Sequence, residues 1–187
     1  MSAIVRYMRY SMGELALNKD KKFFSTRDIG QLIALTVVIF LLLKVFFVLA
    51  FVPTGSMEPT IKEKSAVIGW RLSYLLSDPL PDRGEIIIFD HEEFNKHLVK
   101  RVVGLPGDEV LISDGQVYVN SEKLDEPYLA EMDSGEHDGQ FTVPEGKLLV
   151  LGDNRNHSND SRFWVNPFVD VEKVYAKVLI WLQLPHL

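Results

Sequence analysis

The sequence predicts a mostly β domain of short antiparallel strands, preceded by one N-terminal transmembrane α-helix. Three observations carry this. The 22 residues from Ile29 to Ala50 are nearly all apolar. Beyond them come short apolar runs of strand length, set apart by turns rich in Gly, Pro, Asn and Asp. Within that part, Asp114-Gly115 sits between two such runs as a hairpin signal. A chain of 187 residues fits one domain and an appendage.

Residues 1–28 hold six Lys/Arg against three Asp/Glu and read as a cytoplasmic tail. Arg6, Tyr7, Arg9 and Tyr10 suit either an amphipathic surface helix or a mobile terminus. The next segment, 29–50, is the membrane span, since 22 helical residues rise about 33 Å against a hydrocarbon core of about 30 Å. Lys44 ends the charge-free run of 15 residues from Ile29 to Leu43, so the helix is expected to stop near Lys44 with the ammonium snorkelling outward. Val45 to Val52 then reads as a strand near the bilayer surface. A cleaved leader fits less well, because the run is long and no small-x-small site follows it. With the basic residues before the span, the N-terminus is expected in the cytoplasm and the domain 51–187 outside.

Residues 53–187 carry thirteen Lys/Arg against twenty-three Asp/Glu, the opposite of the basic footprint that nucleic acid requires. The absence of cysteine excludes disulfides, thiol nucleophiles and cysteine-bound zinc. Strands are expected at Ala66–Trp70, Glu85–Phe89, Leu98–Val103, Val110–Ile112, Gln116–Val119, Lys147–Leu151 and Ala176–Trp181. The acidic, turn-rich stretch 121–144 reads as a surface excursion.

Three stretches carry candidate chemistry. In Pro53-Thr54-Gly55-Ser56-Met57-Glu58-Pro59-Thr60 the apolar run stops at a proline and leaves the Ser56 hydroxyl at a turn; taken alone it is an ordinary turn serine. In Leu98-Val99-Lys100-Arg101-Val102-Val103, strand alternation puts Lys100 on a face with Leu98 and Val102. Such a lysine is either a sheet-edge charge that discourages aggregation or a desolvated amine able to act as a base. Gly152 to Arg162 runs for eleven residues without an apolar side chain, either as a solvated loop or as a polar shell that orients reacting groups.

These stretches, in this order, resemble the boxes of the type I signal peptidases, membrane-bound serine endopeptidases that remove signal peptides from exported preproteins. Arg83-Gly84-Glu85-Ile86-Ile87-Ile88-Phe89 matches a further box, and Lys100 to Asp108 forms the lysine box. The resemblance covers roughly Leu32 to Trp181. It implies Ser56 as nucleophile, Lys100 as general base, and Ser158 as the hydroxyl that positions the amine. Asp160 and Arg162 would form a supporting ion pair, and the Ser56 N–H with the Thr54 hydroxyl an oxyanion hole. Val52, Met57 and Val99 would help wall pockets for small residues of an Ala-x-Ala substrate, which binds as an added strand. The implied fold is the antiparallel β-fold shared with self-cleaving repressors of the LexA type. No metal or cofactor is implied, and the partners are signal peptides and the lipid bilayer, the latter met by Phe46, Phe47, Trp70 and Leu72.

Other readings fit the sequence less well. A Ser-His-Asp hydrolase built on Ser56 and His157 lacks the Gly-x-Ser-x-Gly elbow, with Glu58 where its last glycine belongs. Zinc held by His91 and His97 lacks a metalloprotease spacing. A repressor-type protease would carry a DNA-binding module in place of the span, and a non-catalytic membrane-anchored adaptor would not need Ser56, Lys100 and Ser158 together.

Overall fold

The computed structural model describes residues 25–72, 74, 80–131, 134, 135 and 137–184. The Arg6 to Tyr10 stretch weighed as a surface helix lies outside them. The chain divides into two units, 1–42 and 43–187.

Helix α1 spans Thr26–Phe46. Its start is fixed by a reciprocal cap: the Arg27 N–H donates to Ser25 Oγ at 3.3 Å, and the Ser25 N–H to Asp28 Oδ2 at 2.9 Å. Its 21 residues are long and apolar enough to cross a membrane, and none is buried by protein. A helix that is apolar all round and uncovered suits hydrocarbon better than water. It continues past Lys44 to Phe46, and the very next residue begins a strand.

Among the described residues the second unit holds eleven strands: β1 (Phe47–Val52), β2 (Ser65–Trp70), β3 (Ile86–His91), β4 (Lys96–Gly104), β5 (Glu109–Ser113), β6 (Gln116–Val119), β7 (Glu122–Lys123), β8 (Gly139–Thr142), β9 (Lys147–Leu151), β10 (Phe168–Asp170) and β11 (Val174–Gln183). They form a seven-stranded sheet ordered β1-β2-β11-β3-β4-β9-β10 and a four-stranded sheet ordered β7-β6-β5-β8, with every pairing antiparallel. Strands β7, β8 and β10 are absent from the expectation. Glu-Lys, Gly-Gln-Phe-Thr and Phe-Val-Asp are too short for alternation to register, and they exist because neighbours supply the hydrogen bonds.

Strand β3 buries four residues in succession because both its faces are covered. Ile86 and Ile88 join a core with Val52, Met57 and Val67, while Ile87 and Phe89 join another with Val102, Val150 and Trp164. A third core ties the two sheets together through Val110 and Ile112 of β5 and Leu149 and Leu151 of β9. Strand β4 lies inside the large sheet, between β3 and β9, with Lys100 opposite Ile87. The sheet-edge reading of Lys100 is thereby overturned.

At the β1 edge the sheet shows an apolar outer face. Registers align Leu49 with Ile68 and Ile180, and Phe51 with Ala66 and Leu182, across β1, β2 and β11. Leu49 is 75% exposed and Leu182 60%, with Phe51 and Ile180 also exposed. By contrast Phe46 and Phe47 pack on Trp70, with ring centroids 6.0 and 4.8 Å apart, and are half-buried.

Gly69 lets these layers close. A Cβ there would stand 2.7 Å from Val48 Cγ1 and 2.8 Å from Ala176 Cβ. Since Ala176 Cβ has no rotamer to escape into, Gly69→Ala is expected to destabilise the domain by about 1–3 kcal/mol. Denaturant unfolding checks this, and an unchanged midpoint would refute it.

Candidate active site

The Ser56 turn is pinned from below and from the side. Met57 and Ile61 pair as an isolated bridge and are fully buried, so the turn cannot lift off the core. The Glu58 N–H closes it on the Gly55 carbonyl at 3.1 Å. From the polar loop, Asn154 donates its backbone N–H to the Ser56 carbonyl at 3.1 Å and its side-chain amide to the Gly55 carbonyl at 3.0 Å. Two donors from one residue thus hold the backbone on either side of the serine.

Lys100 Nζ lies 2.7 Å from Ser56 Oγ. The lysine is 4% exposed. Burial pushes its ammonium pKa down from 10.5 to about 8; Asp160 and Asp153 partly offset this, and Arg162 adds to it. An amine at that value is neutral in a useful fraction at mildly alkaline pH and can accept a proton from a hydroxyl it touches.

The loop Gly152 to Arg162 is laced by charge. Arg162 Nε donates to Asp160 Oδ1 at 2.8 Å and Nη2 to Oδ2 at 3.0 Å, both side chains being buried. Asp160 Oδ2 also accepts the Gly152 N–H at 3.0 Å, which closes the loop on itself. Ser158 lies in the same loop. Its Oγ is buried without a hydrogen-bond partner. The residue is extended (φ −121°, ψ 125°), and its side chain packs over Gly152 rather than bonding the Lys100 amine.

Thr54 is exposed one residue before Gly55, and the Ser56 N–H donates to no described residue. Of the three expected pocket residues, Val52 and Met57 belong to the core, Met57 with no exposed surface, while Val99 is half-buried. His157 is exposed and lies 3.2 Å from Asn154 Oδ1, while the hydroxyl of Ser56 meets Lys100, which removes the Ser-His pairing. His97 faces Asp90, and His91 packs on Trp164.

Sequence reasoning assigned no role to Arg101, Asp153 or Thr60. Arg101 forms a bidentate pair with Asp153, 2.8 Å from Nε and 2.6 Å from Nη2, and the Thr60 hydroxyl donates to the same carboxylate. The lysine strand, the polar loop and the end of the serine turn meet there. A charged residue beside a candidate base, in a strand of apolar residues, was the available signal.

The family described as signal peptidase, peptidase S26, matches residues 26–182. The probable signal peptidase I-2 of Synechocystis is 39% identical over 160 residues, covering 82% of this chain and 71% of that protein. Signal peptidase I of Bacillus licheniformis is 36% identical over 160 residues, covering 80% and 83%. A signal peptidase I structure from Enterococcus faecalis matches 54% of this chain and 97% of its own at 36% identity, with a TM-score of 0.47. The chain belongs to the peptidase S26 family of signal peptidases. It is a serine peptidase, and so a hydrolase.

Gly152 gives a direct test of the geometry. A Cβ at this position would run into the Ser158 side chain and stand 2.5 Å from the Ser56 carbonyl oxygen. Gly152→Ala is expected to displace the serine turn and lower peptidase turnover by about 10²-fold, since displacements near 1 Å cost that much. Wild-type turnover would mean that the turn yields freely.

Proposed function

We propose that this protein removes signal peptides from exported preproteins, with Ser56 as nucleophile and Lys100 as general base. The observation that carries it is the 2.7 Å contact between the serine hydroxyl and a buried amine whose pKa is pushed down to about 8. Neutral Lys100 takes the Ser56 proton as Oγ attacks the scissile carbonyl. The resulting ammonium returns that proton to the leaving amine, leaving an acyl-enzyme. A water deprotonated by Lys100 then releases the signal peptide and restores Ser56. The Ser56 N–H and the Thr54 hydroxyl are the donors suited to the oxyanion, each typically worth about 10²- to 10³-fold. Ser158 holds a buried hydroxyl free to orient the amine. An extended substrate with small residues before the cut, of the Ala-x-Ala type, suits the shallow wall left at Val99 and the unpaired rim of β1, which leads into Ser56.

The helix α1 anchors the enzyme, with 1–28 in the cytoplasm and 51–187 across the membrane. The apolar face of Leu49, Phe51, Ile180 and Leu182 is more exposed than the half-buried Phe46, Phe47, Trp70 and Leu72 and is the part of the domain best suited to rest on lipid. Protease added to the cytoplasmic side of sealed vesicles is expected to trim the tail and spare the domain. Digestion of the domain from that side would reverse the orientation.

The deciding measurement is cleavage of a precursor carrying Ala-x-Ala. Ser56→Ala and Lys100→Arg are expected to be inactive, because a guanidinium cannot act as the base. Ser158→Ala should lose turnover while keeping its melting temperature. Below about pH 8 the amine is mostly protonated, so activity falls with falling pH and levels off above that value. A cut by Ser56→Ala would assign the chemistry elsewhere, and a flat pH profile would remove Lys100 as the base.

A further inference from the structure

Between β7 and β8, the segment 124–131 crosses outside the catalytic loop as a strap, and its centre is one carboxylate. Glu126 accepts both terminal nitrogens of Arg155, with Nη1 3.2 Å from Oε2 and Nη2 on Oε1, and its Oε1 also accepts the Tyr128 hydroxyl at 2.6 Å. Arg155 and Glu126 are nearly inaccessible. The two arms lead to different parts of the site. Arg155 Nε donates to the Gly152 carbonyl at 3.2 Å, and the Arg155 carbonyl accepts Arg162 Nη2 at 2.7 Å, so this arm grips the loop that carries Asp160. The Tyr128 ring lies 3.8 Å below the Arg101 guanidinium and covers the pair through which Asp153 holds Thr60.

We propose that Glu126 is a positioning residue for peptide cleavage: through Arg155 and Tyr128 it holds the catalytic loop and the serine turn in register with Lys100. This rests on the assignment of Ser56 and Lys100 above. Glu126 touches neither of them, and its effect passes through the two arginines. The charged groups around the Lys100 amine are Asp160, Asp153 and Arg162, and all three belong to elements that the strap clamps. A slackened strap admits water to the amine and weakens the burial that keeps it neutral.

The test uses full-length protein in detergent with the Ala-x-Ala precursor, well below the melting transition of each variant. Glu126→Ala is expected to lower kcat by about ten- to a hundredfold with KM nearly unchanged, the scale of a small misplacement. It should also move the midpoint of the pH-activity rise above that of the wild type. Glu126→Gln keeps the shape and one acceptor oxygen, so it should recover part of kcat, and it carries the same reading where Glu126→Ala does not fold. A folded variant with wild-type kcat and an unmoved midpoint, whatever its melting temperature, overturns the proposal, because a structural contact alone would change stability only. Ser56→Ala is assayed alongside. If it cleaves, the nucleophile assignment fails and takes this inference with it; if it is inactive while Glu126→Ala matches wild type, the positioning role alone fails.

Discussion

The rest of the domain depends on keeping one lysine dry. An amine moved from water into the interior of a sheet resists its charge, and a fall in pKa from 10.5 to about 8 corresponds to a cost on the order of a few kcal/mol. That cost is carried in full below about pH 8 and fades as pH rises toward 10.5, where the unfolded chain also loses the proton. Strand β4 can bear it because it lies inside the sheet, paired on both sides by β3 and β9. The same desolvation that weakens the fold makes the amine easier to hold neutral.

Around that amine, neutrality and charge are kept apart. Asp160 and Arg162 neutralise each other, as do Asp153 and Arg101, so the charges nearest Lys100 are paired. Buried ion pairs seldom add net stability, since desolvation consumes most of the attraction. Their geometric value is clearer here, because the Arg101–Asp153 fork ties strand β4 to the loop while the Arg162–Asp160 fork stiffens the loop itself. Sheet hydrogen bonding cannot do this for a loop that contains no strand.

The eight expected strands could be read because each combines an apolar run with a turn signal, and the helix because it is apolar throughout. The strands that escaped, β7, β8 and β10, are made by their neighbours. Ser56, Lys100 and the polar loop stood out because each contradicts its surroundings: a hydroxyl where an apolar run breaks off, a charge among valines, and a stretch with no apolar side chain. What escaped was the pairing. That Arg101 would meet Asp153, or that Arg155 would meet Glu126 in what read as a surface excursion, depends on contacts across tens of residues for which a single sequence has no local pattern. The sheet-edge alternative for Lys100 failed for the same reason, since strand order is a long-range property.

The passage from helix to strand has no linker. Phe46 ends α1 and Phe47 begins β1, so Ser56 is the tenth residue after the end of the helix. A chain that short spans at most about 35 Å when fully extended. Whatever angle the helix adopts, the serine can never stand farther than that from the point where the helix ends. In the membrane-anchored peptidase proposed above, the segment would act as a ruler: a peptide bond held farther than that from the helix end would stay beyond the serine's reach, so distance would select before any side chain does.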